Sequence, residues 1–64
     1  MSGITLKAAR VNAGFTQVEV AEKIGVAPST LRNWEMGITF PKQPAIEKMC
    51  DLYKVPYDNI KFSV

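Results

Sequence analysis

Histidine is absent from this 64-residue chain, and cysteine occurs once, at Cys50. The first absence removes the commonest general base and metal ligand. A lone thiol cannot close an intramolecular disulfide, and with no histidine beside it a zinc site is not expected. No apolar run is long enough to span a bilayer and no secretory leader opens the chain, so no membrane association and a cytoplasmic location are expected. Internal repeats, low-complexity segments and Gly-rich phosphate loops are also lacking. The acids Glu19, Glu22, Glu47, Asp51 and Asp58 are spaced as outward helix charges, not as a catalytic pair. No enzymatic activity, cofactor, metal or small-molecule ligand is expected.

What remains is small and mildly basic. Eight Lys and Arg against six Asp and Glu give a net charge of +2. That balance permits a nucleic-acid partner without requiring one, so the case rests on where the charges sit. A chain of this length is expected to form one domain, residues 1–64, and to bury only about 60% of its unfolded surface. With disulfides and metals excluded, close helix packing or dimerisation must supply the stability.

Gly14, Gly25, Gly37, Pro41, Pro44 and Pro56 cut the chain into five short segments. None alternates with the period of a strand, which predicts an all-α domain of five helices, over about 5–13, 17–24, 28–36, 44–53 and 57–62. Thr5 can cap the first helix, and Leu6, Ala9 and Ala13 share its inner face. Arg10 lies between Leu6 and Ala13 on nearly the same side, so it does not point straight into solvent. Thr16-Gln17-Val18-Glu19 is a capping box, and Phe15 with Val20 forms the accompanying hydrophobic staple. Gly25 is placed to end the second helix at positive φ. Pro28 suits the first turn of the third helix, which leaves Ala27 as a weak cap; Ser29 is the alternative cap. Ile46, Met49, Cys50 and Tyr53 mark the inner stripe of the fourth helix, and Ile60 would anchor the fifth.

Residues 17–36 carry the most information. Two short amphipathic helices meet at Gly25, with Val20, Ile24, Val26, Leu31 and Trp34 inward and the small Ala21 where the helices would cross. This is the pattern a helix-turn-helix needs to present its second helix to a DNA groove. With Arg10, Gly14, Thr16-Gln17, Ser29-Thr30-Leu31, Trp34-Glu35, Gly37, Pro41 and Val55, the chain resembles the Cro/CI-type (xenobiotic-response-element) helix-turn-helix family. That family includes small phage Cro proteins and repressor N-terminal domains. The resemblance runs from about Leu6 to Ile60. It implies a lambda-repressor-like five-helix domain that binds a palindromic operator in double-stranded DNA as a dimer. Since 64 residues leave no room for a second domain, a phage or prophage Cro-like repressor is the expected type.

The free side of helix 28–36 bears Pro28, Ser29, Arg32 and Asn33, the expected base-contacting set. Arginine can bond bidentately to guanine O6 and N7, and asparagine to adenine N6 and N7. Serine can donate or accept, and proline offers carbon to a thymine methyl. By family position Pro28, Ser29 and Asn33 are base readers, whereas Arg32 reads a base or holds a phosphate. Gln17 resembles the family's phosphate-binding position at a helix N-terminus. Thr16, Thr30, Thr39 and Lys42 complete the expected phosphate contacts, Thr16 being first of all a cap.

Arg10 and Glu35 fall on inward-leaning faces, and the family often pairs an arginine with a glutamate there. The resemblance therefore implies a partly buried ion pair that orients the third helix. Family dimers meet through the last helix and nearby loop, which points to Pro56, Tyr57, Phe62 and Val64. Those residues form a homodimer surface, weak and stabilised on DNA, or else Phe62 and Val64 fold back on their own core. The rival function is a protein-interaction or antitoxin-like module on the same fold with little DNA binding.

Overall fold

The computed structural model describes residues 3–62. Along the chain lie β1 (Ile4–Thr5), α1 (Leu6–Ala13), α2 (Gln17–Ile24), α3 (Pro28–Glu35), α4 (Gln43–Tyr53), a 3₁₀ turn (Tyr57–Asn59) and β2 (Ile60–Lys61). α2 and α3 form the most extensive helix pair, and α4 packs against α1 and α2. Leu6, Ala9, Val20, Ile24, Leu31, Met49, Tyr53 and Ile60 make one buried core. Ala21 is also buried, as a small residue between closely approaching helices must be. Phe15, Val26, Trp34 and Cys50 close over this core from its edges.

Each helix boundary has a local cause. Thr5 accepts the Ala8 amide at 3.1 Å and starts α1. At α2 the Thr16 hydroxyl accepts the Glu19 amide at 3.1 Å, while the Glu19 carboxylate accepts the Thr16 amide at 2.8 Å. Gly25 then turns left-handed, at φ 80° and ψ 35°, and its amide bonds back to the Ala21 carbonyl. Nothing lies within 4 Å of where a β-carbon would sit at Gly25, so glycine is favoured there by backbone conformation and not by crowding. α3 begins at Pro28 behind Ala27, without any side-chain cap, so Ser29 is not the capping residue. α4 starts one residue before the expected Pro44, with Lys42 as its N-cap, and ends on Lys54 at φ 60°.

Two expectations need correction. There is no fifth α-helix over 57–62, and the described residues are mostly, not wholly, helical. Pro56 leads into a three-residue 3₁₀ turn, after which Ile60 is extended at φ −92° and ψ 131°. Ile60–Lys61 pairs in parallel with Ile4–Thr5, so the two ends of the described chain are laced together. A helix here would forfeit that pairing, and the segment is too short to propagate one unaided. Ile60 still serves as the core anchor, 8% exposed. Gly3 permits the close approach: a β-carbon there would lie 2.0 Å from the Asn59 carbonyl oxygen.

Candidate nucleic-acid interface

α3 is two-sided. Leu31 is fully buried, Glu35 is nearly so, and Trp34 is half-buried against the core. On the other side Pro28, Ser29 and Arg32 are exposed, while Asn33 and Thr30 are half-buried. Glu35 is the helix's acid, and it is turned inward. The outward face therefore carries the charge of Arg32 without a compensating carboxylate from α3. The main-chain carbonyl of Asn33 accepts the amides of Ile38 and Thr39, at 3.0 and 3.4 Å, which folds the following loop back on the helix end. Thr39 and Lys42 are exposed along that loop and at the start of α4.

A polar network lies behind this face. Arg10 Nε donates to Glu35 Oε2 at 2.7 Å, and Arg10 Nη2 donates to Glu35 Oε1 at 3.2 Å. The third guanidinium nitrogen, Nη1, donates to the Phe15 carbonyl at 2.9 Å. Gln17 Nε2 donates to Glu35 Oε1 at 2.9 Å. One carboxylate thus ties α1, through Arg10, and the first residue of α2, through Gln17, to the last turn of α3, while Arg10 itself holds the α1–α2 connection at Phe15. The side chains of Arg10 and Glu35 are 10% and 3% exposed, so the pair is shielded from solvent and salt.

Thr16 and Gln17 sit together at the α2 N-terminus, and both side chains already have partners within the protein. Neither is saturated. A hydroxyl that accepts a bond keeps its own hydrogen, and a carboxamide nitrogen has a second N–H. Tyr53 adds a feature absent from the residue patterns: its hydroxyl is buried and has no hydrogen-bond partner among the described residues. Burial, with the nearby Glu35 charge adding and Arg10 opposing, pushes its pKa up to about 12. No pattern signalled that orphan or the Gln17–Glu35 bond, because both depend on how helices cross.

The expected dimer residues divide. Pro56 and Tyr57 are exposed, Tyr57 to 51%. Phe62 packs on its own core and lies 6.0 Å from the Tyr57 ring, tilted by 44°. Val64 lies outside the described residues. Among those residues no cluster of three or more His, Cys, Asp or Glu could hold a metal ion. No described helix is long and apolar enough to cross a membrane.

Comparison with known proteins adds two findings. A family model described as helix-turn-helix matches residues 6–60. Over 56 residues the chain is 39% identical to the HTH-type transcriptional regulator ImmR of Bacillus subtilis (strain 168). That alignment covers 88% of this chain and 44% of ImmR, so the chain spans less than half the length of that relative. No solved structure gives a significant match.

Proposed function

Because the chain belongs to the helix-turn-helix family, we propose that it is a transcriptional regulator, not an enzyme, that reads double-stranded DNA with α3 in the major groove. The observation that carries this is the division of α3. Leu31 and Glu35 lock one face to the core, while Pro28, Ser29 and Arg32 stand exposed on the other, with Asn33 half-exposed beside them. A rigid backing and a free edge of donors, acceptors and one cation suit base readout. Thr16, Gln17, Thr30, Thr39 and Lys42 hold phosphates and set the register. The relative's designation as a transcriptional regulator supports the same role.

The finer reading is a Cro-like repressor on a palindromic operator. A single module of this size reads few base pairs, so two copies are needed for a useful specificity ratio. Pro56 and Tyr57 offer the exposed apolar surface for a weak dimer completed on DNA, with the core-packed Phe62 ring next to Tyr57. Selection of bound sequences from a random duplex pool tests both levels. The expected product is an inverted repeat with half-sites about one helical turn apart. Binding should weaken steeply with salt, with a log–log slope near −0.9 per neutralised phosphate. Trp34, the chain's sole tryptophan and a residue of α3, supplies a fluorescence readout. No enrichment and a flat salt profile would favour the protein-interaction module instead.

A further inference from the structure

We infer that Glu35 is a positioning residue for the DNA phosphate contact: its carboxylate fixes which way the Gln17 amide points, and Arg10 is there to neutralise that carboxylate. This deepens the proposed DNA-binding function and rests on it. The Gln17 carboxamide has an oxygen at one corner and an NH₂ at the other. Rotated one way it offers a phosphate a donor, and rotated the other way an acceptor that repels it. Glu35 Oε1 lies 2.9 Å from Gln17 Nε2, so the nitrogen is the atom held at the carboxylate. An ionised carboxylate only accepts, and the flipped amide would set two oxygens against each other. One N–H is used on Glu35. The second is left for an outside acceptor, beside the main-chain amides of Gln17 and Val18, which no carbonyl of the helix can reach; the next amide, of Glu19, is already taken by the Thr16 hydroxyl.

The arrangement places a negative charge next to a proposed anion contact. Left alone, Glu35 would oppose the phosphate it helps to bind. Arg10 meets it with two donors, at 2.7 and 3.2 Å, and its third nitrogen is tied to the Phe15 carbonyl. The guanidinium is thereby held inside the protein, where it offsets Glu35 without itself reaching the DNA. Glu35 is also the last residue of α3. The phosphate contact on α2 and the base contacts on α3 are consequently registered to each other through one side chain.

A double-mutant cycle separates this from a merely structural role. Gln17→Ala is made in the wild-type chain and in an Arg10→Met/Glu35→Leu chain, where apolar side chains replace the pair. Affinity for the selected operator duplex is measured in all four, with foldedness checked by circular dichroism. In the wild-type background Gln17→Ala should weaken binding about three- to tenfold, the worth of one ordinary hydrogen bond. In the apolar background the same substitution should change affinity by less than about twofold, because the amide is no longer aimed. An equal effect in both backgrounds overturns the inference while leaving the proposed function standing. Absence of duplex binding by the wild-type chain overturns both. If the apolar chain does not fold, the wild-type protein still decides the matter. In the free protein the Gln17 side-chain N–H₂ should be as motionally restrained as the α2 backbone by nitrogen relaxation. A freely rotating amide refutes the tether.

Discussion

Removing the Glu35 carboxylate should come close to unfolding the protein. In Glu35→Ala the buried Arg10 keeps the Phe15 carbonyl as a partner and loses both bonds to the carboxylate. Gln17 loses its acceptor as well. With the pair's side chains 10% and 3% exposed, water cannot readily replace what is lost. Breaking a buried pair from one side costs about 3–5 kcal/mol. A domain of this length has a total stability of about 3–10 kcal/mol, at 0.05–0.15 kcal/mol per residue. The melting temperature should therefore fall by at least about 12 °C, taking the lower figure of 4 °C per kcal/mol for small domains. Urea denaturation followed by far-ultraviolet circular dichroism measures the loss directly. Arg10→Met/Glu35→Leu is the control, and it should be neutral or more stable, because apolar replacement also removes the desolvation penalty. A loss in Glu35→Ala below about 1 kcal/mol, the range of exposed pairs, would refute the reasoning.

Tyr53→Phe deletes a buried hydroxyl with no partner, so it should raise stability by about 1 kcal/mol in the same urea assay; a loss of that size would show that the hydroxyl is satisfied. The folded pKa of Tyr53, about 12, lies above the ordinary value near 10. Its contribution is therefore complete below pH 10 and is lost as pH rises toward 12, and in Tyr53→Phe that part of the alkaline decline should vanish. Gly3→Ala drives a β-carbon into the Asn59 carbonyl and should cost about 1–3 kcal/mol, with amide exchange at Ile60 and Lys61 accelerated. Lys54→Gly relieves a left-handed residue at the end of α4 and should gain about 1 kcal/mol, seen as a higher urea midpoint at unchanged slope.

What was legible in the chain was what local offsets decide. Thr16 and Glu19 announce the start of α2 because both halves of a capping box lie within one turn. Gly25 announces its end because a left-handed residue is needed just there. Arg10 could be placed on an inward face by its spacing from Leu6 and Ala13, and the structure brings it to Glu35 across 25 positions of sequence. Residues 57–62 were misread for the complementary reason. A three-residue turn and a two-residue strand are too short to carry a period, and the extended form of Ile60 is set by Ile4, 56 positions earlier. The Gln17–Glu35 bond was hidden too, since it follows from the angle between α2 and α3.

The same distinction explains the tip of α3. Its start looked defective, with Ala27 in a place that favours a hydroxyl or carboxamide. Pro28 is the favoured first residue; Ser29 is the alternative cap, one that would begin the helix later and occupy the serine oxygen. The structure begins the helix at Pro28, whose fixed φ and missing N–H suit that position, and leaves Ala27 without any side-chain bond. The helix forgoes about 1 kcal/mol of capping. In return the Ser29 hydroxyl stays exposed, one residue inside the helix, on the side where Arg32 also emerges. Capping groups compete with a ligand for the same unpaired amides and for their own oxygens. An uncapped N-terminus on the helix proposed to enter the groove is therefore consistent with that role, whereas the capped start of α1, at Thr5, serves the scaffold behind it.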